Sequence, residues 1–157
     1  MGVEFENNSM EVKEKINDAI IAFLYEAGGE LEAQVKRNTK GDTGDTKKSW
    51  KHKVSESEGK VTIGSNSENA IWEEFGTGAY AEKGDGRKTP WYIPVEAISN
   101  KSKKPSYQGK VIVVHGKNGQ AFYKTDGKKP KRALQLAFTS KKTAIKRLLE
   151  SKLKGLK

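Results

Sequence analysis

The residues of this chain that could do chemistry are few, and their spacing suits little of it. Two histidines, His52 and His115, are present with no cysteine. A structural zinc site would therefore need both histidines plus carboxylates, and neither has a second histidine or a glutamate at ligand spacing. Both read as ordinary strand residues. A serine nucleophile would need a Gly-x-Ser-x-Gly elbow, and a phosphate cradle a Gly-x-x-x-x-Gly-Lys-Ser/Thr loop; the sequence has neither. Gly84, Gly86 and Gly109 are scattered through polar stretches. Glu73 and Glu74 are adjacent, so on a helix or strand they face different directions and form no carboxylate dyad. Asp42-Thr43-Gly44 has the form of an aspartic-protease triplet, but those enzymes need two such aspartates in apolar strands. No catalytic residue, cofactor site or metal site is assigned.

The same residues have structural readings. Asp and Thr side chains can bond to backbone two residues on, and glycine accepts a left-handed conformation, so Asp42-Thr43-Gly44 reads as a helix-to-strand turn. Glu74 is either an acid or metal ligand, or an acceptor for the backbone amides of the Gly76–Gly78 turn. The second reading is preferred, because no other acid or base stands at a useful spacing.

The elements that would position these residues follow from periodicity. Ile16, Ala19, Ile20, Phe23, Leu24, Ala27, Leu31 and Val35 form one face of a long amphipathic helix, expected over 12–38 with Ser9 capping its start. Its polar face carries Glu26, Glu30 and Glu32, and Lys36 and Arg37 suit its C-terminal end. Gly28-Gly29 in its interior predicts a kink rather than a close approach. Trp50, His52 and Val54 alternate with polar residues, and with Val61 and Ile63 they predict a hairpin over 49–64. Ile71, Trp72 and Phe75 predict a short helix at 69–75 that stops at Gly76. Lys117-Asn118-Gly119 between β-rich runs predicts a second hairpin at 111–125. Ala144, Ile145, Leu148, Leu149 and Leu153 trace a terminal helix within 132–154. Between these, 76–110 reads as long loops, expected to be mobile in the monomer. The aromatic run at Trp91-Tyr92 fits two outcomes, ordering on a partner or a short edge strand. One α+β domain over 1–157 is expected, its two main helices on one face of an antiparallel sheet of about four strands.

Composition narrows the function classes. Without cysteine there are no disulfides and no thiolate metal sites. The first residues, Met-Gly-Val-Glu-Phe-Glu, lack the basic and apolar character of a signal peptide, so a soluble protein made in the cytoplasm is expected. A hydrophobic content of 34% with 32% charge implies a thin core and apolar surface left for a partner. Net charge is +10, but residues 1–100 hold 13 Lys/Arg against 18 Asp/Glu, whereas 101–157 hold 17 against 2. That polarity suits either a polyanion or an oppositely charged neighbour.

Three signatures stand in fixed order: Asp42-Thr43-Gly44 with Ser49; Glu74-Phe75-Gly76-Thr77-Gly78; and Phe122-Tyr123 through Pro130 to Ala137-Phe138. Together, over about Ile16 to Leu149, they resemble the small tail-completion, or head–tail joining, proteins of long-tailed bacteriophages. The resemblance implies Asp42, Thr43, Gly44, Ser49, Glu74, Phe75, Gly76, Thr77, Pro130 and Phe138 as fold-determining positions. It also implies a non-enzymatic subunit of a sixfold ring, placed in the virion between tail-tube and head-connector proteins, with no cofactor and no membrane. The chain departs from the family pattern at Lys40-Gly41, at Asp45-Thr46 and at Ala133-Leu134-Gln135-Leu136, which makes the turn and the final junction looser. The charge split suggests a contact in which Glu26, Glu30 and Glu32 of one subunit meet Lys128, Lys129, Lys131 and Arg132 of the next, with Trp91 and Tyr92 at the same interface. The alternative is a nucleic-acid-binding module built on the basic C-terminal third.

Overall fold

Burying the long apolar stripe and the two hairpins organises the whole chain. The computed structural model describes residues 7–39, 44–97 and 112–156. Four α-helices are described: α1 Ser9–Asn38, α2 Asp45–Ser49, α3 Glu68–Phe75 and α4 Ala133–Lys154. The strands are β1 Trp50–Ser55, β2 Lys60–Ser65, β3 Trp91–Pro94, β4 Ile112–His115 and β5 Ala121–Thr125. The architecture is α+β and antiparallel, as the periodicities predict. The five described strands divide between two sheets, β1-β2 and β3-β5-β4, rather than forming one. The reason lies between them: after β2 the chain turns into α3, and the second sheet is joined to the end of α3 by loop backbone bonds, not by a strand edge.

Helix α1 buries Leu24, Ala27, Gly28, Leu31 and Val35. It packs against β1, β2 and α4. The two long helices run antiparallel, since Glu26 pairs with Lys152 and the Asn38 side-chain amide donates to the Ala133 carbonyl at 3.0 Å. Val35, Trp50, Ala70 and Ala137 form the central cluster, with Ile63 and Leu134 packed against it. That is a small core, as the low apolar content implies.

Two local expectations change. Ser9 is the first helical residue rather than the cap; Asn8 holds the N-cap position, and the Ser9 N–H donates to Asn7 Oδ1 at 3.1 Å. Helix α1 runs continuously through Gly28-Gly29. Gly28 is instead a point of close approach: a Cβ there would sit 2.7 Å from the His52 ring and 2.8 Å from Val61, whereas Gly29 faces open space. A side chain on Gly28 would hold the first hairpin off the helix.

The stretch expected as loop at 76–97 carries structure of its own. Gly78–Tyr80 makes a single 3-10 turn, and Val95–Ala97 another. Trp91–Pro94 is an edge strand, with Trp91 opposite Thr125 and Pro94 opposite Phe122. Of the two outcomes left open for Trp91-Tyr92, the chain adopts the edge strand, a position in which proline is tolerated. The second expected loop, Ser99–Gly109, lies outside the described residues.

Candidate functional site

Residues of the second and third signatures meet at one junction, where α3, the turn after it and the start of α4 come together. Glu74 is 7% exposed. Its carboxylate accepts from the Leu134 amide at 2.8 Å and the Gln135 amide at 3.0 Å. These are first-turn amides of α4, which a helix leaves without intrahelical acceptors. Arg132, at the N-cap of α4, has φ 52° and makes no side-chain cap. Glu74 therefore caps a helix sixty residues away in sequence and sets its charge against the positive end of the helix dipole. This corrects the expectation that Glu74 serves the Gly76–Gly78 turn. Its partners lie on α4 instead.

Glu73 has different partners, and only one of its carboxylate oxygens is engaged. Its Oε1 accepts from Lys128 Nζ at 2.8 Å and Lys131 Nζ at 3.1 Å, and its carbonyl accepts from the Lys131 amide at 2.7 Å. The glycine-rich turn is sewn to the same segment: the Thr77 amide donates to the Lys128 carbonyl at 2.8 Å, and the Ala79 amide to the Asp126 carbonyl at 2.8 Å. Two backbones this close leave no room for a side chain. A Cβ on Gly76, where φ is 75°, would stand 2.8 Å from both the Lys128 carbonyl and the Pro130 ring; one on Gly78 would stand 2.2 Å from the Asp126 carbonyl. That is the physical content of Glu-Phe-Gly-Thr-Gly and of the Lys-Lys-Pro run that follows Gly127.

The remaining signature positions fall nearby or outside the description. Asp42 and Thr43 lie outside the described residues; Gly44 follows at φ 78° as the N-cap of α2. Ser49 ends α2 instead of opening β1. Its hydroxyl lies 2.7 Å from the Thr46 carbonyl and 2.7 Å from the Ser65 hydroxyl, which clamps the hairpin's two ends.

The first hairpin, α3 and α4 enclose an open apolar groove of about 510 Å³. Trp50 and Ile63 form one wall, Ile71 and Phe75 a second, Leu134 and Phe138 a third. Ile71 and Phe75 stand four apart, as do Leu134 and Phe138, and that spacing puts each pair on one helix face. The spacing is the signal that could have marked a surface, but from sequence alone it reads as core. Ile71 is 58% exposed and Phe138 49%. Trp72 and Leu136 are exposed beside them. Among the described residues, no group of three or more His, Asp or Glu is placed to hold a metal ion.

The charges expected to meet a neighbouring subunit are engaged within the chain. Glu26 pairs with Lys152 at 2.8 Å, and Glu30 with Lys141. Lys141 holds the Glu30 carboxyl below its ordinary value. Glu32 is held by Lys36 and by His52, whose Nδ1 lies 2.6 Å away and whose amide donates at 2.9 Å. These partners, Lys36 foremost, draw its pKa from 4.5 down to about 2 against the opposing effect of burial. Lys128 and Lys131 go to Glu73, Arg132 to Glu82 at 3.0 Å, and the Lys129 ammonium lies 5.7 Å from the Tyr80 ring centre. Trp91 packs on Gly78 and under Arg87, while Tyr92 stays exposed. Two of the acidic residues, Glu26 and Glu30, pair across α1 and α4 of one molecule.

No curated protein and no solved structure matches the chain. Its first half does match a family model, over a stretch that ends in the Glu-Phe-Gly element at the end of α3. Residues 4–76 match the HK97-gp10-like family, described as "Bacteriophage HK97-gp10, putative tail-component", a match consistent with the tail-completion or head–tail joining resemblance and pointing to a structural component of a phage tail.

Proposed function

We propose that this chain is a ring-forming subunit of a tailed phage or prophage virion, which completes the tail or joins it to the head. The observation that carries the reading is the uncovered apolar groove beside the Glu74-capped junction. A thin core next to an open apolar surface is the arrangement of a subunit finished by its neighbours. The family match over residues 4–76 supports a place in the tail. In this reading the 157 residues form one domain, the ring is sixfold, and tail-tube and head-connector proteins bind its two faces. Assembly takes place in the host cytoplasm. The nucleic-acid alternative gains nothing, because Lys128, Lys131, Arg132, Lys141 and Lys152 of the basic third have carboxylate partners in the chain.

The test is the mass of the purified protein over a concentration series, with negative-stain images of any large species. Closed rings of uniform size formed without nucleic acid are expected. A monomer at every concentration that binds arbitrary duplex in a salt-dependent way would overturn the proposal.

A further inference from the structure

Helix α1 outruns what covers it. Its apolar stripe continues past the buried residues to Val12 and Ile16, which are 51% and 38% exposed, and every residue from Ser9 to Asp18 is exposed. The pairing of Glu26 with Lys152 puts the end of α4 short of these turns. At the other end of α1, Val35 packs in one cluster with Trp50, which lines the open groove. Nineteen residues of helix separate Ile16 from Val35, about 28 Å at 1.5 Å per residue. The projecting end cannot reach its own groove.

We propose that the groove walled by Trp50, Ile71, Phe75 and Phe138 receives the projecting N-terminal turns of α1 from a second copy of this chain. This deepens the ring reading and rests on it. Three observations favour a second copy as occupant. The stripe at Val12 and Ile16 is apolar and helical, and a groove between helices takes an amphipathic helix by its apolar face. Charge is complementary: residues 1–18 carry five carboxylates against Lys13 and Lys15, while lysines lie in the surroundings of the groove. Lys83 stands 5.9 Å from the Phe75 ring centre, Lys142 is one turn beyond Phe138, and Lys48 and Lys51 line the adjoining depression across Gly64 and Ser65. None of these four lysines has an ion-pair partner among the described residues. Finally, the two surfaces sit at opposite ends of α1, so the contact is head-to-tail, which closes into a ring when the rotation allows.

The chain has no native cysteine, so cross-links between copies can be placed without interference. Single variants I16C and F138C, both at exposed positions, are mixed and treated with a short bis-maleimide. A second mixture pairs I16C with V113C, on an exposed residue of β4. Circular dichroism checks that each variant is folded. The expected result is covalent dimer from the first mixture in about tenfold excess over the second, the ratio that 1.4 kcal/mol of preference gives. Rings in the wild type with equal yields from the two mixtures would overturn the contact and leave the ring. Specific cross-linking in a protein that never exceeds a dimer would sustain the contact and overturn the ring.

Discussion

Replacing Glu74 tests the account of the α3–α4 junction most directly. The carboxylate accepts two amide hydrogen bonds at 2.8 and 3.0 Å from a site only 7% exposed. A hydrogen bond to a charged group contributes about 1.5–3 kcal/mol net, and a buried amide left without an acceptor costs about 1–3 kcal/mol. Glu74→Ala removes both bonds and leaves two orphaned amides, so a loss of about 3 kcal/mol is expected, at the lower end of the sum because water reaches part of a helix end. Glu74→Gln keeps one acceptor, loses the charge and turns an N–H₂ toward an N–H donor. Its expected cost is about 1.5–2 kcal/mol. The assay is urea unfolding followed by far-ultraviolet circular dichroism, with unchanged slope as the check that only stability moved. Hydrogen exchange adds a local readout: the Leu134 and Gln135 amides should lose protection first. Glu150→Gln, exposed near the far end of the same helix, should stay within about 0.5 kcal/mol. If Glu74→Gln is as stable as the wild type, within that margin, Glu74 does not cap α4 and the explanation of the signature fails.

Three further outcomes follow from the same geometry. Gly28→Ala should destabilise by about 1–3 kcal/mol through overpacking against His52 and Val61, while Gly29→Ala, in open space, should stabilise by roughly 0.5–1 kcal/mol; chemical denaturation of both separates close approach from kink. The folded pKa of Glu32 is depressed from 4.5 to about 2, so the stability it contributes is present above pH 4.5 and lost as pH falls from there toward 2. The loss should approach about 3 kcal/mol, and a pH series should show it shrinking in Glu32→Gln. Reversing Glu26, Glu30 and Glu32 together to lysine should lower the thermal midpoint of the monomer itself, because Lys152, Lys141 and His52 would then face positive charge; an unchanged midpoint would show that these pairs contribute nothing to the fold.

Periodicity carried much of the fold. A strict three-and-four stripe, two alternating runs around Glu58-Gly59 and an Asn-Gly hairpin are local patterns, and local sterics and burial are enough to place α1, β1, β2 and the β4–β5 turn. Local pattern also made Gly76 a stop for α3. What it could not supply was the partner of each group. Glu74 read as serving the nearest orphaned amides, yet its acceptors are used sixty residues on, because helix packing brings the start of α4 to the end of α3. Gly28 read as a kink because the sequence does not show that His52 and Val61 lie against it. The division of charge between the two halves was plain in the sequence; its use was not. Opposite charges attract through space, and only the antiparallel packing of α1 on α4 decided that Glu26 and Glu30 meet lysines of their own chain. By the same packing, Ile71, Phe75 and Phe138, core-like in spacing, were left at the surface. The sequence by itself determined the two long helices, the short helix α3 and the two hairpins, and that the chain has too little apolar content for a large core. The tertiary structure decided which apolar faces stay uncovered, because that depends on where the covering elements end.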